Sequence, residues 1–296
     1  MSEYFGRSYE LTIGNLAQSR TFSALPGVVD APLQITFSID QTPGAHRAYG
    51  EITVYGLKRS SRRDIYEQFS DVTLKAGFGE NVGTIFAGQI ENVEIGRDGP
   101  NPYVKLFCQA GAAAWQGATI SRTFGQDTPQ IDIIRAVAES FGAPVEFIGD
   151  FSALPKALKG RTLDGDSKYY MNQLAESFGF EWFLGSSGMI VAIEEGERPD
   201  YQTFNYKPTN GLIGSPEITQ RGVNVEVVLN PFVRPYDRYT VESETGQLTF
   251  NGVYYQRQQF PPTNGESLNQ VLSFRHEGDF YGDTWQTSLE GRRLDG

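Results

Sequence analysis

The sequence is poor in the residues that most often carry chemistry. It has one cysteine, Cys108, in 296 residues, so no internal disulfide can form and a bridged secreted scaffold is excluded. A single thiol also argues against a zinc or iron–sulfur site built on thiolates. Two histidines, His46 and His276, leave little for metal binding or acid–base work. No stretch approaches the ~18 apolar residues that a bilayer-spanning helix needs. The opening MSEYFGRSYELT has no apolar core behind a basic start, unlike a signal peptide. Positive charge is also scarce: 25 Lys and Arg against 36 Asp and Glu give a net charge of −11. That disfavours a grip on phosphate, while leaving room for a local basic patch.

What the chain does have is enough to build a core. Hydrophobic residues make up 39% and aromatics 13%, which places it among globular rather than disordered sequences. Its 33 glycines, 20 Phe and 15 Tyr point to many short strands and turns. At roughly 100–200 residues per domain, two or three domains are expected. The reading is a soluble, β-rich intracellular product.

Residues 1–115 alternate with period two, as half-buried strands do. Tyr9, Leu11 and Ile13 share a face, as do Leu33, Ile35, Phe37 and Ile39. The pattern returns at Ile52 and Val54, at Val72, Leu74, Ala76 and Phe78, and at Val104, Leu106 and Cys108. In TIFAGQIENVEI, Gly88 marks a bulge or a close backbone approach. One short helix over about 60–69 interrupts the series. Together these predict an antiparallel barrel or sandwich with a helix at its edge.

The period then changes. Thr128 and Pro129 form an N-cap and N1 pair opening a helix with Ile131, Ile134, Ala138 and Phe141 on one stripe, and Gly142 ends it. A second helix starts near Asp166–Ser167, buries Met171, Leu174, Ala175 and Phe178, and stops at Gly179. Both end in AESFG, at Ala138 and again at Ala175, and each is followed by an apolar strand. Duplication and coincidence both explain this pair, and two copies are too few for a solenoid.

After a polar connector over roughly 194–210, strands resume. PEITQ leads into VNVEVVL with Val223, Val225 and Val227 alternating, then Asn230–Pro231 punctuates a turn. RYTVES, GVYYQRQQF, QVLSFRHEG and TWQTSLEG follow. Three units result: a first β domain over 1–115, an α/β module over 116–205 and a second β domain over 206–296. Their formal charges are −2, −6 and −3, so the middle module holds most of the acidity.

Candidate active-site groups are few. His46 lies in a turn-rich loop, and His276 ends a strand with Val271, Ser273 and Arg275 on one face; both read as satisfied or surface histidines rather than bases of a triad. Cys108 reads as buried and inert. Carboxylate groupings at Glu194, Glu195 and Glu197, at Asp164 and Asp166, and at Asp279 and Asp283 could serve glycoside hydrolysis, yet they read better as solvated loops and caps. Asp164-Gly165-Asp166-Ser167 begins like a calcium loop but lacks its closing Glu. Lys58, Arg59, Arg62 and Arg63 make a basic helix face, solvated or aimed at an acidic partner or nucleic acid. No metal, cofactor or catalytic residue is assigned.

The segment NGLIGSPEITQRGVNVEVVLNPFVRPYDRYTVES resembles baseplate hub proteins of contractile-tailed phages. The likeness rests on Gly211, Gly214, Pro216, Gly222, Val223, Leu229, Asn230, Pro231, Pro235 and Asp237. It continues in Gly252-Val253-Tyr254-Tyr255 and in the final hairpin, through Gly278, Asp279, Gly282, Asp283, Trp285, Glu290 and Gly291. Glycines and Asn-Pro punctuate hairpins, and Trp285 anchors the closing strand in a core. GEITVYGL, VTLKAGF and GTIFAGQIENVEI fit the tube-like barrel of such hubs, and DGDSKYYMNQLAESFGFEWF fits their helix–strand insertion.

The resemblance implies a mainly β protein in which two tail-tube-like antiparallel β-barrel domains flank a small helix–strand module. It further implies a non-enzymatic homotrimer in the virion tail, made in the host cytoplasm, without cofactors and without membrane insertion. Six barrels in a ring would meet a six-fold tail tube on one side and a three-fold central spike on the other. Other baseplate proteins would be neighbours, and DNA would pass transiently through the channel. Two other readings stand beside it: a tail-associated cell-wall hydrolase, and the hub portion of a type VI secretion-like spike.

Overall fold

The period-two segments fold as strands because alternation lets each bury one face while the other stays solvated. The computed structural model describes residues 6–27, 31–42, 47–193, 196–219, 221–243, 247–248 and 267–294. Among the described residues strand makes up 54% and helix 14%, so the fold is mainly β with an α+β insertion. His46, Glu194, Glu195 and the expected strand at Gly252–Tyr255 lie outside the described residues.

The N-terminal part comprises β1 (Arg7–Gly14), β2 (Ser19–Ser23), β3 (Ile35–Gln41), β4 (Tyr49–Tyr55), α1 (Arg59–Glu67), β5 (Asp71–Phe78), β6 (Asn81–Asp98) and β7 (Asn101–Gln109). Tyr9, Leu11, Ile13, Ile35, Ile39, Ile52, Val54, Leu74, Leu106 and Cys108 are buried in one core, as their alternation requires. At Gly88 a Cβ would stand 2.6 Å from the Gln109 carbonyl oxygen, so this glycine permits a close backbone approach. Arg59 and Arg63 are exposed on α1 and Lys58 at its N-cap, with Arg63 beside Glu67, whereas Arg62 is half-buried: most of this basic face is solvated.

The middle part contains α2 (Ala112–Gly117), β8 (Thr119–Phe124), α3 (Gln130–Glu139), β9 (Val145–Ile148), β10 (Arg161–Asp166), α4 (Ser167–Phe178), β11 (Phe180–Gly185) and β12 (Gly188–Ile193). Asp166 caps α4 by accepting from the Lys168 amide at 2.8 Å, and Gly142 and Gly179 both adopt left-handed φ, 70° and 68°. The start of α3 differs from expectation. Pro129, not Thr128, holds the N-cap position without a side-chain cap, because the Thr128 hydroxyl donates to the Gly125 carbonyl at 2.8 Å. The strands after the two AESFG segments have different roles: β9 runs parallel to β12, whereas β11 runs antiparallel to it.

The C-terminal part holds β13 (Thr203–Tyr206), β14 (Leu212–Ile218), β15 (Val223–Val228), β16 (Arg238–Val241), β17 (Gln247–Leu248), β18 (Leu268–Asp279) and β19 (Trp285–Arg293). In β18 the register shifts between Val271 and Ser273. That bulge turns Phe274 and His276 inward and leaves Arg275 exposed, so His276 does not continue the alternation of the strand's beginning.

The two β parts share one sheet of 14 strands. Its path runs β17-β14-β15-β19-β18-β3-β4-β7-β6-β5-β1-β2, with β16 and β13 branching from β18. The joint is the antiparallel pairing of β18 with β3, from Phe274 opposite Gln41 to Asp279 opposite Thr36. The first core reflects this continuity, since Leu229 and Trp285 from the C-terminal part are buried in it.

Candidate assembly interface

Period two that buries one face of this sheet exposes the other. On β3, Ile35, Phe37 and Ile39 point inward, so Thr36, Ser38 and Asp40 point out. Arg275 and Glu277 stand beside Asp40 and Ser38. Glu51 pairs with Ser38 on one side and Phe107 on the other, and Glu94 stands opposite Lys105. Beyond β18 the same face carries Ser288 and Gln286 of β19, with Glu226 opposite Ser288. A cavity of about 490 Å³ opens there against Glu217, Asn224, Glu226, Ser288 and Glu290. This eight-stranded face from β14 to β6 therefore presents Asp40, Glu51, Glu94, Asp98, Glu217, Glu226, Glu277 and Glu290 against Lys105, Arg275 and Arg292.

Lys105 and Arg275 are already paired with carboxylates, and Arg292 donates to the Gln270 amide oxygen at 2.7 Å. Arg275 Nη2 lies 2.8 Å from Asp40 Oδ2, which raises the guanidinium's pKa above its ordinary value. Lys105 bonds to Glu51 and holds that carboxyl below the usual carboxylate range. Burial, helped by its hydrogen bond to Glu51, pushes Tyr49 up to about 12. The surplus charge on the face is negative.

The expected motif residues form joints behind this face. Trp285, 4% exposed, meets Phe37 edge-on at 5.1 Å and donates from Nε1 to the Gly77 carbonyl at 3.1 Å. Gly278 lies between these rings: a Cβ there would fall 2.3 Å from Phe37 and 2.7 Å from Trp285. Asp283 contributes its backbone carbonyl, which accepts from Arg7 Nη2 at 2.9 Å. Arg7 also donates to the Asp279 and Gly282 carbonyls and lies 5.7 Å from the Trp285 ring. One guanidinium thus ties β1 to the last hairpin.

Gly222, Gly291 and Tyr239 meet in the C-terminal core. A Cβ at Gly291 would fall 1.9 Å from the Tyr239 hydroxyl, and one at Gly222 would fall 2.3 Å from the Gly291 carbonyl oxygen. The Tyr239 hydroxyl donates to the Val223 carbonyl. Gly211 and Gly214 have φ of 81° and 67°, and Gly214 and the buried Pro216 sit in the register shift of β14. Asn230 accepts from the Phe232 amide at 3.1 Å and donates to the Tyr206 hydroxyl at 3.0 Å. Pro231 packs against Gly83 of β6.

Asp237 is fully buried. Its carboxylate accepts from the Gln202 amide at 2.9 Å and the Arg234 amide at 2.9 Å, with the Arg234 guanidinium at 3.3 Å. The residue before it, Tyr236, has φ 69° and packs with Ile148, Phe183, Ile190 and Ala192 of the middle part. The Pro-x-Asp segment therefore joins the α/β part to the C-terminal strands.

Sequence reasoning missed Arg7, Tyr236 and the acidic face. The acids were legible as the polar phase of the alternation, whereas Arg7 and Tyr236 carry no local signal. The candidate chemical groups do not converge. Burial pushes the Cys108 thiol up to about 12. His276 bonds through Nδ1 to the Thr287 hydroxyl at 2.8 Å. Among the described residues, no three His, Cys, Asp or Glu side chains are grouped to hold a metal, and no helix is long and apolar enough to cross a membrane.

Comparison with curated proteins gives no match. Among solved structures, a tail protein of Neisseria meningitidis MC58 superposes with TM-score 0.59 at 11% identity, covering 98% of this chain and 97% of that one. The 43 kDa tail protein of prophage MuSo2 from Shewanella oneidensis gives TM-score 0.60 at 10% identity, with 98% of each chain covered. The E. coli c3393 protein, described as a type VI secretion component similar to T4 tail proteins gp27 and gp5, gives 0.54 at 8% identity over 92% of this chain and 76% of that one. These likenesses establish a shared fold. A family model described as baseplate hub gp41 matches residues 19–255, and on that match the chain belongs to the baseplate hub gp41 family.

Proposed function

We propose that this chain is the structural hub of a contractile phage tail, assembled as a homotrimer that joins the tail tube to the central spike. An equivalence inside the sheet carries the reading. Strands β3-β4-β7-β6 and β14-β15-β19-β18 follow one another in the same order. Each long hairpin has one extra residue at the corresponding place, Glu91 in β6 and Leu272 in β18. The flanking pairs agree: Ile52 and Val54 stand opposite Leu106 and Val104, as Val225 and Val227 stand opposite Leu289 and Thr287.

Two equivalent units, within 1–115 and 206–296, become six in a trimer. Such a ring matches a six-fold tube and a three-fold spike by symmetry. The acidic sheet face supports a channel lining, because phosphate is repelled from it and DNA passes without being held. This role asks for no catalytic group.

Electron microscopy of the purified chain tests the reading and is expected to show a three-fold ring with a central hole. A compact monomer at high concentration that binds neither tube nor spike protein overturns it. The likeness to the c3393 protein motivates a second reading, the hub portion of a type VI secretion-like spike. Co-purification with a DNA-filled tailed particle separates the two.

A further inference from the structure

We propose that the cavity where the three parts of the chain meet is a binding site for a carboxylate carried on an apolar stem. About 380 Å³ of space opens there. It is lined by Gln41 at the end of β3, Ser186 in the turn between β11 and β12, Arg198 and Gln202 of the connector, and Phe232 and Arg234 after β15. That size suits a small ligand or the end of a peptide chain.

Two buried polar atoms at this cavity have no partner in the protein. Arg198 is only 3% exposed. Its Nη2 lies 3.1 Å from Glu146 Oε2, but its Nε finds no acceptor, and the Ser186 hydroxyl is likewise unpaired. Leaving a buried donor unpaired costs stability, and the great majority of buried polar groups are satisfied. Burial also holds the Arg198 guanidinium below its ordinary pKa, with the Glu146 charge opposing that shift. A second carboxylate beside it would offset the desolvation and supply the missing acceptor at once.

The unpaired groups select the ligand. A guanidinium N–H and a hydroxyl both donate, so the group that fits presents two acceptor oxygens, as a carboxylate does to arginine. An ammonium is repelled by Arg198 and Arg234. A phosphate dianion fits less well, because Glu146, Asp200 and Asp237 already pair with these two arginines and leave little positive charge to balance a second negative one. The rest of the lining selects the stem. Ile190, Val233 and Phe274 are buried, Phe232 is 43% exposed, and all four line the cavity. A free short-chain acid and the C-terminal residue of a peptide both offer this chemistry.

Calorimetric titration of the full chain tests the site with two probes, hydrocinnamate and acetyl-glycyl-phenylalanine bearing a free C-terminus. Saturable binding is expected, about tenfold tighter than that of the matching carboxamides, since a charge-assisted bond to arginine is lost in them. Tighter binding of the peptide assigns the site to a chain end, and tighter binding of hydrocinnamate assigns it to a free acid. Arg198→Met is expected to weaken binding about tenfold, whereas Arg59→Met on α1 leaves it unchanged. Ser186→Ala removes a hydroxyl that bonds to nothing in the protein, so thermal unfolding should stay put while binding weakens about threefold. Failure of both probes to bind, equal binding of the carboxamides, or full binding by a folded Arg198→Met chain overturns the proposal. Should Arg198→Met not fold, unchanged binding by both Ser186→Ala and Phe232→Ala overturns it equally.

Discussion

Replacing Trp285 with alanine removes an indole that begins β19 in the C-terminal part yet is buried in the core of the N-terminal part. Truncating a buried Trp costs about 3–5 kcal/mol, from lost burial and the cavity left behind. The Gly77 carbonyl, which accepts from Nε1 at 3.1 Å, loses its partner at a further cost of about 1 kcal/mol. Trp285→Phe keeps a ring against Phe37 and surrenders mainly the N–H, so it should cost about 1–2 kcal/mol. Urea unfolding followed by far-UV circular dichroism measures both losses through the shift in midpoint at constant m. Trp115 and Trp182, stacked at 5.6 Å, remain as fluorescence reporters of the middle part. Because β18 and β3 are one ladder, the whole β sheet should shift together. A loss below about 1 kcal/mol for Trp285→Ala would refute the placing of this side chain in a core shared by both β parts.

Gly291→Ala drives a methyl into the Tyr239 hydroxyl and should cost about 1–3 kcal/mol. Pairing it with Tyr239→Phe should recover part of that loss in a double-mutant cycle of unfolding free energies. Burial pushes the His276 imidazole down to about 3, so the fold keeps it neutral while the unfolded chain protonates it below its ordinary value of 6.5. Its neutrality is neutral to stability above that value. As pH falls from there toward 3 stability is lost, amounting to about 2 kcal/mol by pH 5. Urea midpoints at pH 7.5 and 5 should therefore differ more for the wild type than for His276→Gln. Glu226→Lys combined with Glu277→Lys should leave assembly intact by electron microscopy and slow DNA release from particles, since a basic lining retains phosphate; unchanged release would remove the channel role of the acidic face.

Much of the molecule was legible without coordinates, and the reason is periodicity. Ile35, Phe37 and Ile39, or Val223, Val225 and Val227, announce their buried face because a strand has only two faces to choose between. Gly179 and Asp166 announce the ends of α4 because orphan backbone groups and a left-handed residue need those side chains there. Where a local hydrogen bond competes, as at Thr128, the boundary moves by one residue. The bulge at Leu272 left no such mark, and it alone decides that His276 faces inward.

The sequence by itself determined a mainly β chain with an α/β insertion, a shortage of catalytic side chains and an acidic balance. Those properties follow from composition and from contacts a few residues apart. Only the tertiary structure decided that both β parts belong to one sheet, that Trp285 completes the core of residues far from it in sequence, and that Arg7 holds the last hairpin. It alone gathered Asp40, Glu226 and Glu277 on one face. Strand pairing between distant segments is set by the joint fit of backbone edges and buried side chains, and no local pattern records which edge will meet which.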